Sequence, residues 1–186
     1  MTGPVAPRWV VVCAHAVPLC VLPAGLWRIA MALGVPVGFS AEVLRDDYGV
    51  PGWGVLGIIG LSVFTEGLAL LTIGLVRPWG EVFPAWMPIL GGRTVNARVV
   101  TVIALTGAAI LTVVCWSQLP VWIAGEDEGL PGAARTVMGL AYAPLLAWGP
   151  LLAVVAVAYL RRRRRPASGP ADDPAARSSA RERMGA

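Results

Sequence analysis

Four stretches of the chain, residues 9–34, 55–76, 98–119 and 135–160, are apolar at nearly every position, and the segments between and beyond them hold most of the charge and proline and the paired glycine. Each run is long enough to cross a hydrocarbon core, which takes roughly 20 helical residues. The pattern predicts an all-α, polytopic membrane protein with four transmembrane helices arranged as two hairpins. A short lead at 1–8 precedes the membrane domain (9–160), and a basic tail at 161–186 follows it. A cleaved secretory signal is the rival reading of the first run, because Arg8 stands just before it. That run, however, outlasts the usual apolar core of about 7–15 residues and contains Pro18, Pro23 and Arg28, so we expect it to be retained as a helix.

Between the second and third runs lies residues 77–93, RPWGEVFPAWMPILGGR, which no continuous helix can traverse. Pro78, Pro84 and Pro88 each remove a backbone donor and crowd the preceding turn. Trp79 and Trp86 carry rings suited to headgroup depth, while Arg77 and Arg93 mark a cytoplasmic flank. The segment therefore reads as an interfacial hinge on the inner surface. Arg77, Glu81 and Arg93 beside the amides of Gly91 and Gly92 offer a place for a phosphate or lipid headgroup. The plainer reading is a turn with a local Arg and Glu pair, since Gly91-Gly92 is not followed by the Lys-Ser or Lys-Thr of a phosphate loop.

Small residues recur on each later helix: Gly60, Gly67 and Gly74 on the second, Ala104, Ala108 and Thr112 on the third, Gly139, Ala143 and Ala147 on the fourth. Such stripes let helix backbones approach closely in a membrane. Pro144 and Pro150 should kink the fourth helix, which neighbouring helices tolerate.

Charge sets the expected orientation. Arg8, Arg77, Arg93, Arg98 and Arg161 to Arg165 flank one set of helix ends, whereas the loops at 35–54 and 120–134, with Arg135 at the edge of the second, combine Arg45 with six acidic residues. By the excess of arginine on the cytoplasmic side, both termini should be cytoplasmic, in a multi-pass protein of the plasma membrane. Only 14% of the 186 residues are charged against 56% hydrophobic, and the net +4 is concentrated in the tail, which carries eight of the 15 basic residues. The run Arg161, Arg162, Arg163, Arg164 and Arg165 can contact anionic lipid headgroups as well as anchor the fourth helix. Residues 166–186 offer little to bury and should be disordered.

Three ionisable residues fall inside the apolar runs: His15, Arg28 and Glu66. Each is costly there and calls for a partner or a purpose. Counting along two antiparallel helices places His15 and Glu66 within about a turn of the same depth. They would then form a proton or cation relay or, more simply, a buried packing contact, with Arg28 snorkelling outward past Trp27. Cys13, Cys20 and Cys115 all lie in apolar runs and read as small hydrophobes. No nucleophile, zinc-protease or dinucleotide motif occurs, so no enzyme activity, metal or cofactor is expected, and nothing suggests nucleic acid as a partner.

The segments Arg77-Pro-Trp-Gly-Glu-Val-Phe-Pro, Trp86-Met-Pro and Gly91-Gly-Arg93, with Leu26-Trp27-Arg28, resemble a group of uncharacterised small integral membrane proteins of actinobacteria. The resemblance implies a four-helix fold and a membrane location, with no activity attached. The expected function is that of a structural or partner-binding membrane component, binding another membrane protein or its own copy. The alternative is a small transporter or proton-coupled carrier working through Glu66 and His15. Cysteines introduced at Ser40 and Gly129 should react with an impermeant thiol reagent on intact cells, and cysteines at Gly92 and Ser168 should not. Labelling at position 92 from outside would reverse the orientation.

Overall fold

The structure, a computed structural model, describes residues 6–35, 37–77, 96–120, 130 and 132–164. It is all-helical over these residues, and four helices are long and apolar enough to span a membrane. In chain order these are α1 (Arg8–Ala32), α3 (Trp53–Gly74), α4 (Ala97–Ser117) and a bent fourth span. That span consists of α5 (Gly132–Tyr142), a tighter turn at Ala143–Ala147, and α6 (Trp148–Arg164). A short helix not expected from the sequence, α2 (Ala41–Asp46), lies in the first loop. Its start is local chemistry: the Ser40 hydroxyl accepts from the Val43 N–H at 3.3 Å, with Glu42 in the first turn and Arg45 in the last.

α1 is the centre of the bundle, and its sequence shows why. Val10, Ala14, Val17, Val21, Ala24 and Met31 are buried, and together with position 28 they follow an unbroken alternation of four- and three-residue steps. That spacing is the seam of helices packed at a shallow angle. Pro18 and Pro23 sit inside the helix without ending it. The helix stops where the Val35 N–H reaches back to the Ala30 carbonyl (3.0 Å) and the Gly34 N–H to that of Met31 (3.1 Å). This closure needs a left-handed residue, and Gly34 supplies it at φ 79°.

α3 packs along α1, and α4 packs along α6, so the two hairpins are the tightest units. They are joined through α1 against α6, while α3 and α4 form no interface with each other. Two apolar layers stack along α1. Val10 and Ala14 meet Leu75, Val155, Ala156 and Tyr159; one level up, Val17, Val21 and Ala24 meet Ala69, Leu145 and Trp148.

The small-residue stripes fare differently. On α4, Ala108 and Thr112 do form a contact face, because a Cβ added to Gly149 of α6 would collide with the Thr112 hydroxyl. It would also lie 2.7 Å from the Ala108 carbonyl oxygen and 2.9 Å from the Thr112 nitrogen. On α3, Gly74 is buried, but Gly60 and Gly67 are exposed with open space around them, and a Cβ on Gly139 of α5 would meet no neighbouring group either. α3 instead meets α1 through Ser62, Thr65 and Ala69, which lie on another face.

The bend in the fourth span follows from its prolines. Pro144 lacks the N–H that would bond to Leu140, and the backbone tightens there. Pro150 likewise frees the Leu146 carbonyl, which accepts from the Trp116 indole N–H of α4 at 3.2 Å. Replacing Gly149 by leucine should force α4 from α6, at a cost of about 1–3 kcal/mol or more. A thermal melt in detergent should fall by several degrees for Gly149→Leu and be unchanged for Gly139→Leu, and equal behaviour of the two would rule out the close approach.

Candidate functional site

Arg28 lies on the buried seam of α1, one step beyond Ala24 and one before Met31. Its side chain therefore points into the bundle, and the expected outward snorkelling past Trp27 does not occur. The Arg28 Nε–H donates to the Ser62 hydroxyl at 3.2 Å, and its Nη2–H donates to the Thr65 hydroxyl at 3.2 Å. Both hydroxyls are pre-set as acceptors, because their own protons are engaged with the backbone of α3. Ser62 donates to the Ile58 carbonyl (2.9 Å); Thr65 reaches those of Leu61 (2.9 Å) and Ser62 (3.0 Å).

The third partner comes from the bent span. The Arg28 guanidinium carbon sits 6.0 Å from the centre of the Tyr142 ring, the last residue of α5. The tightened turn at Pro144 separates α5, which meets α1, from α6, which packs on both α4 and α1. One cation thus ties three spans together through neutral partners.

Magnitudes show why this is tolerated. An arginine at mid-helix costs about 2.5–3.5 kcal/mol on insertion scales. Hydrogen bonds within membranes average about 0.6 kcal/mol, and a desolvated cation over an aromatic face contributes about 2 kcal/mol. Two of the former and one of the latter come close to offsetting the cost. A carboxylate partner is not required.

His15 and Glu66 are not brought together. His15 follows Ala14, which packs at the level of Leu75, and its Nδ1–H donates to the Val11 carbonyl of its own helix at 2.8 Å. Glu66 lies nine positions before Leu75 on α3, about 14 Å along the axis. The antiparallel register, not visible when helix ends are estimated to a few residues, separates the two. Glu66 is half-buried and makes no hydrogen bond or ion pair to any described residue.

At the opposite end of the bundle the arginine run is not uniformly outward. Arg161 and Arg164 are exposed, but the Arg162 Nη2–H donates to the carbonyl of Leu75 at 3.1 Å and its guanidinium lies 5.8 Å from the Tyr159 ring centre. Leu75 caps α3, so its carbonyl has no partner within the helix, and a cation there also complements the helix dipole. Arg77 is exposed just beyond it. Trp79, Glu81, Trp86, Arg93 and Arg165 lie outside the described residues. The three cysteines are free thiols, with Cys13 and Cys115 packed against the two apolar layers. Among the described residues no three acidic, histidine or cysteine side chains converge as a metal site.

Ser62, Thr65 and Tyr142 escape a search for charged residues. The signal that finds them is the spacing of the α1 seam, which includes position 28 and so demands acceptors on whatever faces it.

The arrangement makes an asymmetric prediction. Arg28→Leu removes the charge and leaves Ser62 and Thr65 bonded to their own backbone, so stability in detergent should be nearly unchanged. Ser62→Ala with Thr65→Val strands the cation and should cost on the order of 1–3 kcal/mol. Adding Arg28→Leu to that double variant should restore the melting temperature; a triple variant as unstable as the double would exclude the clasp.

Compared with known proteins, the chain matches no family model, no curated protein and no solved structure.

Proposed function

We propose that this four-span membrane protein is a structural or partner-binding component of the plasma membrane, with both termini cytoplasmic. The observation that supports this best is the use of an intramembrane charge: Arg28 is engaged by Ser62, Thr65 and Tyr142, contacts that fix how α1, α3 and α5 meet. Arg162 has the same role at the other end, joining α6 to the cap of α3. Polar groups here hold helices in register, as a scaffold requires.

A carrier needs titrating groups within reach of one another or of a shared polar path. His15 bonds within its own helix, and Glu66 stands about 14 Å away along the bundle. The arginine distribution favours the inward termini, and the exposed Arg161 and Arg164 remain available to anionic headgroups.

Reconstitution into liposomes enclosing a pH-sensitive dye tests this directly. The protein should leave an imposed proton gradient to decay at the rate of empty liposomes, and Glu66→Gln should change nothing. A leak several-fold above that background, abolished by Glu66→Gln, would establish the carrier and remove the scaffold reading.

A further inference from the structure

Glu66 is the one intramembrane carboxyl among the described residues, and none of the other described residues engages it. Its surroundings on α3 follow a pattern distinct from the face that meets α1. Ile59, Val63, Glu66, Leu70 and Ile73 alternate in four- and three-residue steps, the spacing of a helix-pairing seam. Val63 is 64% and Leu70 48% exposed, and the other three are partly so. α3 packs on α1, touches α6 marginally and forms no interface with α4, so this flank is left open by the bundle.

In lipid an apolar seam is not by itself drawn to anything, because the tails are as apolar as leucine. The polar group at its centre is different. A carboxyl group carrying its proton is at once a donor and an acceptor, so it is complementary to another carboxyl. All copies of a membrane protein insert with the same topology, so a second copy presents its own Glu66 at the same depth. A two-fold axis along the membrane normal brings identical residues face to face.

We propose that this flank of α3 pairs with the same flank of a second copy, with the two Glu66 carboxyls hydrogen-bonded to each other across the two-fold axis. This rests on the partner-binding reading above and names the partner as the chain itself. Val63 and Leu70 lie a turn on either side of Glu66 and pack against their counterparts. Leu68 is exposed on the other flank at the same depth and faces lipid.

The test uses the full chain in bilayers, with Cys13, Cys20 and Cys115 replaced by alanine and one cysteine introduced at a time. Under mild oxidation, Val63→Cys and Leu70→Cys should cross-link to dimers and Leu68→Cys should not. Energy transfer between labelled copies should show Glu66→Gln pairing like the parent, since an amide is also donor and acceptor, and Glu66→Leu pairing about tenfold more weakly. An unchanged melting temperature for Glu66→Leu confirms that the loss is one of association. The proposal is overturned if Glu66→Leu pairs as tightly as the parent, if Leu68→Cys cross-links as well as Val63→Cys, or if the parent is monomeric. A monomeric parent leaves the partner-binding reading intact with a different partner; a Glu66-dependent proton leak removes that reading whatever the oligomeric state.

Discussion

A guanidinium set on the buried seam of a transmembrane helix constrains everything packed around it. Arg28 cannot leave the seam without turning α1 and exposing the Val10 to Met31 stripe, so its neighbours must bring acceptors to it. α3 does so with two hydroxyls whose protons are spent on its own turn, and α5 adds the face of Tyr142. Neutral partners suit this position. A buried ion pair would strand one charge whenever the other moved, whereas Ser62 and Thr65 remain satisfied with or without the arginine. The contact therefore specifies register more than it adds stability.

The bend in the fourth span depends on the same logic of freed backbone groups. Past the bend α6 packs on both α4 and α1, while before it α5 meets α1 beside Arg28. Pro144 supplies the bend, and Pro150 releases the Leu146 carbonyl that Trp116 then occupies. In hydrocarbon each freed carbonyl needs such a donor. Gly149 completes the turn of the chain by letting α6 rest directly on the backbone of α4 at Ala108 and Thr112. At the other end the same need is met at Leu75, whose carbonyl ends α3 and receives Arg162. The two arginines bracket the bundle along its length.

What the bundle leaves uncovered is as informative as what it buries. α1 spends its seam on α3 and α6, but among the described helices α3 packs chiefly on α1 and α4 chiefly on α6. Apolar side chains on the outer faces are at home in lipid and ask for nothing. A carboxyl among them does, which separates Glu66 from Arg28 despite their similar prominence in the sequence.

The sequence alone determined the four spans, the helical class and the pairing into hairpins. Twenty-odd consecutive apolar residues have one low-energy form in a bilayer, and short connections oblige neighbours to run antiparallel. It also marked His15, Arg28 and Glu66, because charge in an apolar run is visible without any structure. The tertiary structure decided which way each points. Depth and facing depend on helix register to within a residue: one residue is a rotation of about 100°, and apolar runs blur their own ends by two or three. So Arg28 turned inward, His15 and Glu66 fell at different levels, and Gly149 took the close approach that Gly60 and Gly67 had promised. The 4-3 step of the α1 seam was in the sequence throughout. Only packing showed that this seam, among several apolar faces, was the one the other helices chose.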